Sequence, residues 1–272
     1  MQIVLNIIIF LVILFFYIHI NYQLTTSNDL EIYDITDEEI SRERLEELCE
    51  LKQPIVFNYT NDRYREELDI KELVDTYGEF ELNIKDVPVK LREAIKLFEN
   101  DISGEYITEN NQDFLDETTK SKSIQMEDHI FRPPMVSNSV YDIIMGSKDS
   151  GLDYRYEISE RNIFIVNSGT VEIKLATPDS KRYKLEGEHQ KLLTGPDEGK
   201  IKYMTVVLKC GEAISIPNRW IYRVSIKEEG TVIIKKNYES LMNRISNLDK
   251  RVKEWLQAKN EKLEYSRKRE KV

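Results

Sequence analysis

The residue types that most often carry chemistry are few in this chain. There are three histidines, His19, His129 and His189, and two cysteines, Cys49 and Cys210. Two cysteines exclude a disulfide framework and a cysteine-rich zinc site. A metal site needs converging ligands, and neither His129 nor His189 has another His or Cys at ligand spacing. Both are expected to be surface or hydrogen-bonded structural residues. No Gly-rich phosphate loop, no Gly-x-Ser-x-Gly and no Cys–His pair with a supporting motif is present. Cys210 falls at a strand end and is expected to be buried rather than nucleophilic. The acidic triplet Asp37-Glu38-Glu39 falls at an expected helix start, where carboxylates suit the helix dipole. That reading outweighs a general acid–base pair.

The chain that must position any site has 272 residues, enough for one large domain or two small ones. It is 40% apolar and 32% charged, which excludes a multi-spanning or largely disordered protein. Its net charge of −10 excludes a general nucleic-acid binder. Residues 244–272 carry ten Lys/Arg against five acids, so the acidity lies before them. Ala, Gly and Pro are scarce while Ile, Lys and Asn are abundant. AT-rich coding produces that bias, as in a large DNA virus or an AT-rich microbe.

Met1 to Ile20 contains no charged side chain. Twenty helical residues span about 30 Å, the hydrocarbon thickness of a bilayer. A cleaved signal peptide would show a basic start, a shorter apolar run and a small-x-small cleavage site. These are missing, so residues 1–22 are expected to be a single-pass anchor. The first basic side chain is Arg42, and residues 29–50 carry ten acids and two arginines. The positive-inside rule has little to act on, and a translocated C-terminal part is favoured. Asn58-Tyr59-Thr60 is a glycosylation triplet of a kind that also arises by chance.

The spacing after the anchor predicts a linker and acidic helix start over 23–44. Helices are expected over Asp37–Leu51, over Asp69–Tyr77 (ended by Gly78) and over Val89–Phe98, with a short one beginning at Asp113. Ile55-Val56-Phe57 reads as a short buried strand, and Phe80, Leu82 and Ile84 as a half-buried one. Arg132-Pro133-Pro134 marks a loop. From Tyr154 the chain turns to strands: Asn162–Val166, Thr170–Leu175, Lys202–Leu208, Glu212–Ile216, Ile221–Ile226 and Thr231–Lys235. Close spacing suggests a small barrel or jelly roll, with Gly187–Gly199 as a polar surface insertion. Leu241, Ile245, Leu248, Val252 and Trp255 follow a helical spacing, and that face is expected to pack on the barrel or on a second copy of the chain. The domain boundaries are therefore 1–22 anchor, 23–44 linker, 45–240 domain (helical part 45–130, barrel 131–240) and 241–272 C-terminal helix with a basic tail.

Several blocks then follow one another in a familiar order. They are Pro54-Ile55-Val56, Asp69 to Ile84, Arg132-Pro133-Pro134, GSKDSGLDYRYE (Gly146 to Glu157), NIFIVNSG (Asn162 to Gly169) and CGEAISIPNRWIYRV (Cys210 to Val224). The series resembles cupin-like proteins of the Jumonji C type, in their asparagine-hydroxylase-like branch, over residues 45–240. The resemblance implies a double-stranded β-helix, mainly β with flanking helices. It also implies an iron(II) and 2-oxoglutarate dependent oxygenase whose metal sits on His-x-Asp/Glu and a distant His. The first motif falls at Arg155-Tyr156-Glu157, or, measured back from Asn162, at Tyr156 and Ile158. The distant ligand falls at Tyr222, two residues after Trp220. The lysine that usually anchors the co-substrate falls at Val171, with Lys174 three residues on. At most one ligand, Glu157, remains.

The expected pocket comprises Arg155, Tyr156, Glu157, Asn162, Val171, Trp220 and Tyr222, with no catalytic residue, no metal and no cofactor. Trp220 is expected to pack the barrel end. Tyr156 and Tyr222 are expected to fill the iron volume, their hydroxyls partnered by Arg155 or Glu157. The leading expectation is a membrane-anchored, catalytically inactive module that binds a peptide or protein in the barrel groove. A homodimer through Leu241–Trp255 is compatible with it. The alternatives are an oxygenase with a rearranged site around Glu157, and a virion or envelope surface protein built on an unrelated β-sandwich.

Overall fold

The computed structural model describes residues 2–126, 128–183, 201–253 and 256. Its helices are α1 (Gln2–Leu24), α2 (Arg42–Cys49), α3 (Asp62–Glu67), α4 (Ile70–Tyr77), α5 (Leu91–Asn100), α6 (Gln112–Glu117), α7 (Lys120–Met126) and α8 (Leu241–Ser246). Its strands are β1 (Tyr33–Glu39), β2 (Ile55–Asn58), β3 (Glu81–Ile84), β4 (Val87–Lys90), β5 (Val136–Met145), β6 (Arg155–Tyr156), β7 (Arg161–Ser168), β8 (Thr170–Ala176), β9 (Met204–Lys209), β10 (Glu212–Pro217), β11 (Ile221–Ile226) and β12 (Val232–Ser240). The chain forms two compact units, one from 1–25 with 240–272 and one from 26–239.

In the larger unit, six strands form a sheet in the order β1-β2-β10-β7-β12-β5. Four form a second sheet in the order β6-β11-β8-β9, and β3 with β4 forms a hairpin. The class is therefore mixed α/β. Side chains from both larger sheets share one core: Phe164, Val166, Ile214 and Ile216 from the first meet Val171, Ile173, Leu175 and Val224 from the second. The other face of the six-stranded sheet (Ile163, Ile165, Ile234) packs under Leu45, Tyr64, Leu73, Phe114, Ile124 and Phe131. Burial on both faces explains why β7 is a near-continuous apolar run, whereas β8 alternates.

Local signals place several elements. Ser41, Asn61 and Asp69 cap α2, α3 and α4 by accepting backbone N–H bonds. Gly169 joins β7 to β8 at φ +77°, and a Cβ there would lie 2.1 Å from Thr231 Oγ1. Gly169→Ala is expected to destabilise the larger unit by roughly 1–3 kcal/mol, read as a lower thermal midpoint.

Some expectations are corrected. Residues 33–39 form a strand, not a helix start, because Tyr33, Asp34 and Ile35 pair in parallel with Ile55, Val56 and Phe57. The Asp37-Glu38-Glu39 triplet thus belongs to β1, inside the stretch expected to be a linker, and the helix begins only after the Ser41 cap. The third expected helix is preceded by β4, whose Val89 pairs with Leu82. Strand β5 and helices α3 and α7 were not foreseen, and β12 extends beyond Lys235. Cys210 is exposed rather than buried. His189, the Gly187–Gly199 insertion, Trp255 and the basic tail lie outside the described residues.

In the smaller unit, α1 is long and apolar enough to cross a membrane. It packs with α8, after which the chain is helical again over 248–253. In this single chain Leu241, Ile245, Leu248 and Val252 are all exposed.

Candidate functional site

Strand β6 is two residues long and lies against β11, with Arg155 opposite Tyr222 and Tyr156 opposite Ile221. Alternation along β11 turns Tyr222, Val224 and Ile226 into the core between the sheets. It turns Ile221 to the other side, where it packs with Tyr154, Ala176 and Tyr156. Arg155 and Tyr222 therefore point inwards together, and Glu157, just past β6, joins them. From the facing sheet come Lys235 and Asn237 on β12, Asp142 on β5 and Asn162 on β7, the last paired in register with Asn237.

These side chains form two linked ion pairs. The Tyr222 hydroxyl donates to Glu157 Oε1 at 2.5 Å. Lys235 Nζ donates to the same oxygen, and Asn237 Nδ2 donates to Oε2. Arg155 grips Glu109 with both terminal nitrogens, Nη2 reaching Oε1 at 3.3 Å. The Tyr222 ring meets Phe164 at 5.3 Å between centroids, 63° between planes. Asp142 accepts the backbone N–H groups of Asn110, Asn111 and Ile143 at 2.7–2.9 Å.

The electrostatics follow from this geometry. Burial pushes the Glu157 carboxyl up, but the Lys235 charge, hydrogen bonds from Lys235 and Tyr222, and the Arg155 charge outweigh it. Glu157 is thus held below the usual carboxylate range. Burial, with Glu157 beside it, lifts the Tyr222 phenol well above its ordinary value, so it is a neutral donor. Burial also raises Asp142, against the pull of Lys235 and three backbone donors.

Beside the network lies a polar cavity of about 210 Å³, bordered by Asn110, Gln112, Asp142, Arg155, Glu157, Lys235 and Asn237. Asn162 Nδ2 donates to the Ile216 carbonyl at 3.1 Å. Among the described residues, none donates a hydrogen bond to the buried side-chain oxygens of Asn162 and Asn237. The cavity can take a polar group carrying donors, or water.

Of the seven residues expected in the pocket, Arg155, Glu157 and Tyr222 are brought together, and Asn162 lies across from them. Ile158, on the alternative frame, is a buried core residue. Tyr156 borders the cavity, but its ring packs on the outer side rather than filling the inner volume. Val171 is paired with Ile226, four positions along β11 from Tyr222, in apolar core. Trp220 is fully buried and its indole N–H donates to the Lys52 carbonyl at 3.0 Å. Glu109, Asp142, Lys235 and Asn237 were missed. The only local signal was that Lys235 and Asn237 continue the inward-facing alternation from Ile233. His129 is exposed, and among the described residues no group of three or more His, Cys, Asp or Glu is placed to hold a metal ion. No protein-family model and no curated protein matches this chain.

Proposed function

We propose that this chain is a single-pass, membrane-anchored binding module on a cupin or Jumonji C type jelly roll, and that its ancestral metal position is now an internal salt-bridge network. Support for the jelly roll comes from the strand neighbours. β5 lies beside β12, β6 beside β11, β7 beside β10 and β8 beside β9. Those four nested pairs are what one long ribbon leaves when it is rolled into two sheets. On such a roll, Arg155, Glu157 and Tyr222 occupy the positions where the family carries its ligands.

The observation that carries the loss of iron is Glu157. It is the one ligand-type residue left, and both its oxygens are engaged by Tyr222, Lys235 and Asn237. A guanidinium offers no lone pair to a metal, and Arg155 adds a positive charge beside the site. The residues present do not fit ferrous iron. Val171, where the family keeps a basic co-substrate anchor, is apolar and buried. Recognition in the polar cavity, of a peptide or a partner protein, is then the activity that remains. The anchor is α1, with the acidic unit translocated. Asn58 reports poorly on that side of the membrane, because its amide nitrogen donates to the Thr36 carbonyl within the sheet edge.

The test is metal analysis and co-substrate turnover on the full-length protein in detergent, with ferrous iron, ascorbate and 2-oxoglutarate. The expected result is no stoichiometric iron and no succinate above background. One iron per chain, or succinate formation abolished by Glu157→Ala, would overturn the reading.

A further inference from the structure

In the smaller unit the C-terminal segment, helical over 241–246 and 248–253 with a turn at Asn247, carries an apolar stripe on its exposed side. At 100° per residue an unbroken helix would put Leu241, Ile245, Leu248 and Val252 within about 60° of arc. A helix in water buries such a stripe. Here all four are exposed, Leu248 at 60%, while Asn243 and Asn247 on roughly the opposite face are fully buried. Asn243 Nδ2 donates to Gln23 Oε1 at 3.3 Å, so a polar tie joins α8 to α1 on the side where Met242 is also buried.

The position of that tie supplies the reason. Residues 2–18 of α1 are exposed all round, whereas His19 and Ile20 are half-buried and Gln23 is buried. The covered part of α1 is its last turn, where a spanning helix leaves the hydrocarbon. Arg244 and Lys253 are exposed on either side of the stripe, with exposed Asp249 on the Lys253 side, and over 241–253 four basic residues outnumber that one acid. An apolar stripe with basic flanks, held at the exit of a membrane span, has the chemistry of an interfacial helix.

We propose that residues 241–253 lie along the headgroup boundary of an anionic membrane, with Leu241, Ile245, Leu248 and Val252 towards the acyl chains. The proposal rests on α1 being the anchor. The competing occupant, a second copy of the chain, would cover the stripe without lipid. It would also place like-charged Arg244 and Lys253 flanks against each other.

The experiment uses the full-length chain in vesicles of phosphatidylcholine and phosphatidylglycerol, in a Cys49→Ala, Cys210→Ser background. An environment-sensitive fluorophore is attached at Leu248→Cys or, separately, at Ile13→Cys. The expected result is about twofold quenching at position 248 by lipids spin-labelled near the headgroup, with little quenching by aqueous iodide. Position 13 is expected to be quenched by lipids labelled at the chain end. Iodide quenching at 248 with lipid quenching at 13 overturns the proposal and leaves the anchor standing. Iodide quenching at both removes the anchor as well. Protection at 248 without lipid quenching, varying with protein density in the membrane, overturns the proposal in favour of a second copy.

Discussion

Glu157→Ala is expected to lower the stability of the larger unit by about 3 kcal/mol, because the largely buried Lys235 ammonium loses its hydrogen-bonded partner and keeps only the more distant Asp142 carboxyl. The Tyr222 hydroxyl and the Asn237 amide lose their acceptor in the same step. Urea unfolding in detergent, followed by circular dichroism, reads this as a lower midpoint at unchanged slope. Replacing the pair together, as Glu157→Leu with Lys235→Met, is expected to recover most of the loss, since removing both charges also removes their desolvation penalty. If the single variant were neutral, the network would not be holding the two sheets together at this end.

The pH dependence has a definite sign. Glu157 is held below its unfolded value, so its contribution is fully present above the unfolded pKa of about 4.3 and is lost as pH falls through the folded pKa. Asp142 is shifted upwards, so it works in the opposite direction and favours the folded state as it gains its proton. Stability of the unaltered chain should therefore fall below about pH 4, and the Glu157→Leu, Lys235→Met pair should flatten that fall.

Trp220→Ala is expected to destabilise the larger unit by a further-reaching route, about 3–5 kcal/mol from the cavity it opens. Trp220 is fully buried, and its N–H satisfies the carbonyl of Lys52, joining the turn before β2 to the end of β10. Trp220→Phe keeps most of the ring and loses the hydrogen bond, so about 1–2 kcal/mol is expected. The difference between the two, measured by the same unfolding experiment, separates packing from hydrogen bonding.

Local periodicity made much of this chain legible. The charge-free run before Asn21 is helix α1, and the Ile- and Val-rich runs from Asn162 to Lys235 are strands with ends close to those expected. Alternation alone did not pair Arg155 and Glu157 with Tyr222: the resemblance implied that grouping, and the register of β6 on β11 brings them together. What local periodicity could not determine was pairing at long range. Tyr33–Glu39 reads as polar and acidic, and it is a strand because Ile55–Asn58 offers it an open edge. Glu109 lies in a loop that nothing marks, and only the fold carries it 46 residues along the chain to Arg155. Lys235 and Asn237 carry only the inward alternation that continues from Ile233, and become a site because β12 faces β6 and β11 across the core. The stripe from Leu241 to Val252 was visible as apolar spacing. Whether it is covered depends on tertiary contacts, and these bury Asn243 and Asn247 instead. The sequence by itself therefore determined which segments are apolar and which way their side chains alternate. The tertiary structure alone decided which charges meet, because a buried charge takes its partner from whatever the packing brings within reach.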